Sequence, residues 1–103
     1  MLFNITAKHM DIPDDVKKYA EQKTAKLPRY YNSINHVEVV IDGNKGNDVT
    51  VEIIARAEHN KIFVATQAGD NLNSCIDLAV HKLEGRIRKT KGKERDNKQK
   101  EIA

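Results

Sequence analysis

The sequence predicts an α+β fold in which four strands and two helices follow the order β-α-β-β-β-α. Four segments alternate apolar and polar residues with a period of two, which is typical of strands that bury one face. Two other segments repeat apolar residues at three- and four-residue steps, which is typical of amphipathic helices. The most economical arrangement is one four-stranded, mostly antiparallel sheet with both helices packed on a single face.

The strands are separated by clear turn signals. Asp42–Asp48 contains two glycines and two asparagines, and His59–Asn60 suits a tight hairpin because asparagine tolerates the left-handed backbone of such turns. A helix separates the first strand from the second, so any pairing between these two strands is expected to be parallel. The four strands are predicted at residues 2–7, 37–41, 49–57 and 62–67.

Each helix has a recognisable start. The first is predicted to begin at Pro13, which suits the first helical position, and to end near Pro28. The second is predicted to follow Gly69, with Asp70 or Asn71 as its capping residue. The apolar stripe of this second helix consists of Leu72, Ile76, Ala79, Val80, Leu83 and Ile87.

The composition is that of one soluble domain. Of the 103 residues, 39% are hydrophobic and 32% are charged, and no apolar run approaches the ~20 residues that a membrane span requires. We assign residues 1–93 to an RNA-binding domain and residues 94–103, which are almost free of apolar side chains, to a charged, disordered tail. Without a secretory pattern after Met1, and with Cys75 as the only cysteine, we expect a cytoplasmic protein.

The positive charge is concentrated at the end of the chain. Residues 82–103 contain nine basic and four acidic side chains, a net charge of +5, whereas the whole chain carries only +3. Residues 1–81 are therefore net negative by two charges. A cluster of this kind indicates a polyanionic partner.

Two basic patches are candidates for binding phosphates. One is a ridge along the second helix, made of Lys82, Arg86, Lys89 and Lys93. Arg86 and Arg88 are each able to hold phosphate oxygens through two parallel hydrogen bonds. The other patch consists of Lys23 and Lys26 on the first helix, with Arg29 just beyond. The alternative is that the ridge is only a solvated face, but few acids interrupt the two patches, which favours a phosphate-binding surface.

Tyr30 and Tyr31 leave two interpretations open. They follow a basic residue and are able to stack on unpaired bases. Alternatively, one of them packs under the end of the first helix while the other is half exposed.

The sequence shows no catalytic or metal-binding pattern. The four histidines are scattered, and none lies close to the single cysteine. Nucleophile-elbow, phosphate-loop and dinucleotide-binding motifs are missing from the sequence. We therefore expect no enzymatic activity, no metal or other cofactor, and no small-molecule substrate.

Several short motifs together resemble one family. They are Phe3-Asn4-Ile5-Thr6, Lys26-Leu27-Pro28-Arg29-Tyr30-Tyr31, Ile34-Asn35-His36-Val37, Asp70-Asn71-Leu72, Cys75-Ile76-Asp77, Lys82-Leu83 and Arg88-Lys89-Thr90-Lys91. Through them the chain resembles, up to Lys93, the ribosome hibernation promoting factors and the related ribosome-associated inhibitor of translation. At two positions the chain departs from the pattern: Asn73 stands where many members have tyrosine, and Gly85 stands where a long, often basic residue is common.

The resemblance implies a fold similar to double-stranded RNA-binding domains. It further implies binding to the small ribosomal subunit and its RNA, in the channel for messenger and transfer RNA, and inhibition of translation by occlusion during stress or stationary phase. The RNA-binding positions that it implies are Lys8, Lys23, Lys26, Lys82, Arg88, Lys89 and Lys91. The chain lacks the further domain of long members, so we expect a short form that is monomeric off the ribosome.

Three functional hypotheses follow. The first is a ribosome hibernation factor, favoured by the motifs and the clustered charge. The second is a general double-stranded RNA-binding protein, because the same fold recognises RNA by shape. The third is a basic protein-interaction module that meets an acidic partner. No membrane partner is expected under any of them.

Overall fold

Four strands form one mixed sheet in chain order: β1 (Leu2–Lys8), β2 (Ile34–Lys45), β3 (Asp48–Ala57) and β4 (Ile62–Gly69). β1 pairs with β2 in parallel, and the two following pairs are antiparallel. The computed structural model describes the backbone of residues 1–102 and the side chains of residues 1–43 and 46–93. The predicted fold class, the element order and the parallel first pair are confirmed.

The segment between β1 and β2 holds two helices where the sequence predicts one. α1 (Asp14–Thr24) ends before the proline, and α2 (Leu27–Tyr30) is a separate single turn. Pro28 has no N–H to donate to the carbonyl of Thr24, so α1 cannot continue through it, whereas the first turn of a helix accepts proline. The Thr24 hydroxyl donates to the Ala20 carbonyl at 2.9 Å, within the last turn of α1.

The long helix α3 (Leu72–Ile102) begins where the sequence predicts. Of the two capping candidates, Asn71 fulfils the role, because its Oδ1 accepts a hydrogen bond from the Ser74 N–H at 3.0 Å. α3 starts immediately against the end of β4, where a Cβ on Gly69 would lie 3.0 Å from Cys75 Sγ. The tail predicted at residues 94–103 lies outside the residues whose side chains the structure describes and stays a prediction.

The hairpin between β3 and β4 takes the predicted two-residue form. Both His59 and Asn60 have left-handed backbones, with φ of 62° and 61°. Consecutive positive φ values match the twist of the flanking strands, which makes such turns the favoured short connection. In the preceding turn, Gly46 supplies the left-handed residue with φ of 64°.

The core lies on one face of the sheet, between the strands and the helices. α3 packs on β3 and β4, while α1 and α2 pack beside it. The predicted apolar stripe of α3 is buried except for its first member, Leu72, which is half-buried. The fully buried side chains of larger volume are Leu27, Val37, Val39, Ile41, Val51, Ile53, Ile76, Leu83 and Ile87. The side chains on the opposite face of the sheet are exposed or half-buried, and none of the three helices packs on that face. Within the described residues, no helix has the length and apolar character needed to cross a membrane.

Candidate nucleic-acid interface

The basic ridge of α3 lies along the outer edge of β4. Residues three and four positions apart share one side of a helix, so the four ridge residues form a single flank. The Lys82 ammonium donates to the Thr66 carbonyl at 3.1 Å, and the Arg86 guanidinium donates to the Val64 carbonyl. β4 is the last strand of the sheet, and these two cations therefore satisfy carbonyls on its unpaired edge. The first half of the ridge has a structural role that the sequence analysis did not anticipate.

Lys23 of α1 and Lys26, which directly precedes α2, are paired with acids of α3. Lys23 Nζ lies 3.8 Å from Asp77 Oδ1, and Lys26 Nζ lies 3.1 Å from Glu84 Oε1. The expectation that few acids interrupt the basic patches is therefore wrong, because Asp77 is paired with Lys23 and Glu84 with Lys26. The signal was present as two acids seven residues apart, but only the packing of α1 against α3 brings them to the lysines.

The Lys26–Glu84 pair is the more buried of the two. The Glu84 side chain is 9% exposed and that of Lys26 is 42% exposed. The approach of the two groups is an ion pair without hydrogen-bond geometry, so Glu84 Oε1 has no hydrogen-bond partner among the described residues. A nearly buried carboxylate depends strongly on its one cation, since burying an unpaired charge is unfavourable.

The Lys23–Asp77 pair belongs to a small polar cluster between α1 and α3. The Tyr19 hydroxyl donates to Asp77 Oδ1 at 2.6 Å, and Lys23 Nζ lies 5.3 Å from the centre of the Tyr19 ring. The hydrogen bond to Asp77, followed by burial and the nearby negative charge, raises the pKa of Tyr19 above its ordinary value of 10.0. Asp77 thus links the two helices.

Lys8 lies apart from the other candidates. It ends β1, the strand at the opposite edge of the sheet from β4. Its position in the alternation places it on the open face, level with Asp42 of β2. The structure therefore does not bring Lys8 together with the basic residues of α3.

Apart from Lys8, five of the ten predicted RNA-binding residues make no such contact. Among the described side chains they make no ion pair or hydrogen bond, and four of them are exposed while Lys91 is half-buried. We call them the free cations: Arg29, Arg88, Lys89, Lys91 and Lys93. Arg88 and Lys91 share the flank of α3 that faces α2, and Lys89 and Lys93 continue the ridge. The arrangement offers phosphate-binding groups on two sides of one rigid helix.

The other reactive side chains do not form a second site. Within the described part of the chain, no three His, Cys, Asp or Glu side chains gather into a metal-ligating cluster. Cys75 is 2% exposed, and burial, reinforced by Asp70 and Asp48, raises the pKa of its thiol. His9 Nδ1 lies 3.0 Å from Asp42 Oδ1. His9 directly follows β1, the strand at the sheet edge opposite β4.

Known proteins resemble this chain in both sequence and fold. Residues 3–95 match the family described as Sigma 54 modulation protein / S30EA ribosomal protein. A ribosome hibernation promotion factor from Staphylococcus aureus (strain COL) is 33% identical over 93 residues, which cover 86% of this chain and 47% of that protein. The chain thus spans about half the length of this curated relative.

Two solved structures have the same fold. The N-terminal domain of Thermus thermophilus Protein Y superposes with a TM-score of 0.77 at 24% identity, over 87% of this chain and 99% of that domain. A ribosomal subunit interface protein from Coxiella burnetii gives a TM-score of 0.80 at 22% identity, over 89% of this chain and 99% of that one. The resemblance noted from the motifs is confirmed at the level of the family. The chain belongs to the Sigma 54 modulation protein / S30EA ribosomal protein family.

Proposed function

We propose that this protein is a ribosome hibernation factor. It binds the small ribosomal subunit in the channel for messenger and transfer RNA and inhibits translation by occlusion, in the cytoplasm, during stress or stationary phase. Two observations support this proposal: membership of the family, with a hibernation promotion factor among the relatives, and the free cations on α2 and α3. The free cations carry the proposal, because they are what the ribosomal RNA would bind.

The free cations suit recognition of an RNA backbone. Each lysine or arginine that reaches a phosphate displaces condensed counterions, so binding is favoured at low salt. α3 is docked on β3 and β4 through a buried stripe that extends to Ile87, next to Arg88, Lys89 and Lys91. Recognition of this kind depends on backbone shape, as in other proteins that bind structured RNA. The protein is expected to act as a monomer when it is off the ribosome.

The test is cosedimentation with purified small subunits over a range of salt concentrations. If the five free cations each contact a phosphate, the log–log slope of affinity against salt should be about 3.5 to 4.5 in magnitude. Arg88→Glu combined with Lys89→Glu should flatten the slope by about 1.4 to 1.8 and weaken binding sharply. Circular dichroism should show that this double variant remains folded.

A matched control comes from the opposite side of the molecule. Arg56 is exposed on the open face of the sheet, away from the helices. Arg56→Glu changes the net charge as Arg88→Glu does, so a loss caused by overall charge alone would be equal in the two variants. We expect Arg88→Glu to weaken binding at least tenfold more than Arg56→Glu, roughly the value of one charge-assisted phosphate contact. Equal losses would contradict a binding surface on α3.

Occlusion is tested by competition. Transfer RNA bound to programmed small subunits should exclude the protein, and the protein should inhibit translation of a synthetic message at the concentrations at which it binds. Simultaneous binding without a change in either affinity would refute occlusion. Equal affinity for a plain RNA duplex and for the subunit would favour a general double-stranded RNA-binding protein instead.

A further inference from the structure

A cleft of about 480 Å³ opens beside the free cations. It lies where α2, the turn that follows α2, the β3–β4 hairpin and α3 come together. Arg29 comes from α2 and Lys91 from α3, and Tyr30 and Tyr31 also line the cleft. Small ligand pockets in proteins have volumes of about 300 to 1,000 Å³, so the cleft is large enough for one nucleotide.

The walls of the cleft are held in place by the backbone. The Glu58 N–H donates to the Ser33 carbonyl at 3.3 Å, which ties the β3–β4 hairpin to the turn after α2. The Ala57 N–H donates to the Lys61 carbonyl at 2.8 Å, which closes the hairpin itself. These bonds fix the spacing between the hairpin and α2, so that the cleft exists before any ligand arrives.

The two tyrosines have different roles in the cleft. Tyr31 is used by the fold: its ring meets the Phe63 ring edge-on, with centroids 5.3 Å apart, and its hydroxyl accepts a hydrogen bond from Lys61 at 3.0 Å. Tyr30 is half-buried, and its hydroxyl makes no hydrogen bond within the described part of the chain. Of the pair, Tyr30 is therefore the ring that remains available to a ligand.

The cations of the cleft are available as well. Arg29 and Lys91 come from different helices and have no ion-pair partner among the described side chains. Lys23 and Lys26, a few residues earlier, are paired with acids of α3. One acid, Glu58, lines the cleft, and the amide of Asn32 adds a donor and an acceptor. An aromatic ring, two cations and an amide are the groups that recognise a base and its phosphate.

We propose that this cleft binds a single unpaired nucleotide of RNA. The base stacks on Tyr30, its phosphate lies between Arg29 and Lys91, and Asn32 hydrogen-bonds to an edge of the base. A paired nucleotide is excluded, since its faces are covered by its neighbours in the duplex. The proposal deepens the proposed function by naming what part of the ribosomal RNA the cleft takes, and it rests on that function for its biological setting.

The experiment uses the full chain and a short RNA hairpin that carries a fluorescent adenine analogue in its loop. Stacking of the analogue on Tyr30 should change its fluorescence, whereas the same analogue paired within a duplex should show no change. Tyr30→Leu should weaken binding of the loop by about 5- to 150-fold, the range for loss of one base–aromatic stack. Tyr30→Phe, which keeps the ring, should bind like the wild type.

The other possible results of this experiment either support or overturn nucleotide binding in the cleft. A wild-type protein that leaves the loop fluorescence unchanged would overturn the proposal, and this readout does not depend on whether Tyr30→Leu folds. Adenosine monophosphate should compete only weakly, and equal affinity for it would assign the cleft to a free nucleotide instead of RNA. If the protein binds ribosomes but Tyr30→Leu binds them and the loop equally well, only the cleft proposal fails. If it binds the loop through Tyr30 but never sediments with ribosomes, only the proposed function fails.

Discussion

Replacing Lys26 should reveal how much the ion pair between the start of α2 and α3 contributes to folding. Lys26→Met keeps most of the aliphatic stem and removes the cation that lies 3.1 Å from Glu84 Oε1. The Glu84 side chain is only 9% exposed, and that oxygen has no hydrogen bond from any described residue. The variant therefore leaves a nearly buried carboxylate without its counter-charge.

The expected loss of stability in Lys26→Met is moderate. Removing one partner of a fully buried pair typically destabilises a protein by about 3 to 5 kcal/mol. Here Lys26 is 42% exposed, so water already screens part of the attraction and can approach Glu84 once the ammonium is gone. We expect Lys26→Met to lower the free energy of unfolding by about 1 to 3 kcal/mol, the range for a buried polar group that loses its partner.

Urea unfolding followed by circular dichroism is the appropriate assay. Lys18→Met is the control, because Lys18 is an exposed lysine of the neighbouring helix α1 and has no described partner, and it should change stability by no more than about 0.5 kcal/mol. Glu84→Gln in the Lys26→Met background should recover part of the loss, giving a coupling energy of about 0.5 to 3 kcal/mol. An unchanged urea midpoint for Lys26→Met, or strictly additive effects, would refute the reasoning and leave Lys26 available to RNA.

Two further predictions concern α3 and its contact with α1. Gly85→Ala should raise the free energy of unfolding by about 0.5 to 1 kcal/mol in the same assay, because the added Cβ meets no atom within 4 Å and alanine is the better helix former; a loss of stability would show that the glycine is needed there. Tyr19→Phe removes the hydrogen bond to Asp77, and since the folded-state pKa of Tyr19 lies above 10.0, the stabilisation is present at lower pH and declines as the pH rises through that raised pKa. The difference in stability between wild type and Tyr19→Phe should accordingly shrink in alkaline solution, and a difference that does not change with pH would contradict the assignment.

The fold was predictable because its signals are local and agree with one another. The period-two alternation in β3 places Val51, Ile53 and Ala55 on one face, and the structure buries all three. His59–Asn60 could be recognised as a tight hairpin because few residues accept its backbone. Once the four strands and the helical stripe of α3 are fixed, one sheet with helices on one face is the simplest way to bury them.

The division of the first predicted helix into α1 and α2 was harder to predict from the sequence. Val16 and Ala20 give the spacing of one continuous amphipathic helix, and that spacing continues to Leu27. What divides the segment is the missing N–H of Pro28. A sequence pattern measures which side chains face the core, and both helical pieces bury theirs, so the pattern could not show the break.

The location of the basic residues was predictable in outline, but their contacts were not. Charge counting located α3 correctly as the basic element of the chain. It could not tell that Lys82 and Arg86 would reach the carbonyls of β4, since that depends on the lateral distance between a helix and a strand edge. Nor could it pair Lys23 and Lys26 with acids of α3, since that depends on the contact between two helices far apart in sequence.

The salt dependence of binding distinguishes an interface made of all ten predicted residues from one made of the five free cations alone. Ten basic residues are candidates from the sequence, and if all of them displaced counterions the log–log slope would be about 7 to 9 in magnitude. A cation that already satisfies a carboxylate or a carbonyl must give up that contact before it meets a phosphate, so its net contribution to binding is smaller. The five free cations alone correspond to a slope of about 3.5 to 4.5. A measured slope near the larger value would mean that Lys8 also reaches a phosphate and that the contacts of Lys23, Lys26, Lys82 and Arg86 are exchanged for RNA on binding. The segment that holds α1 and α2 and both edges of the sheet would then belong to the interface.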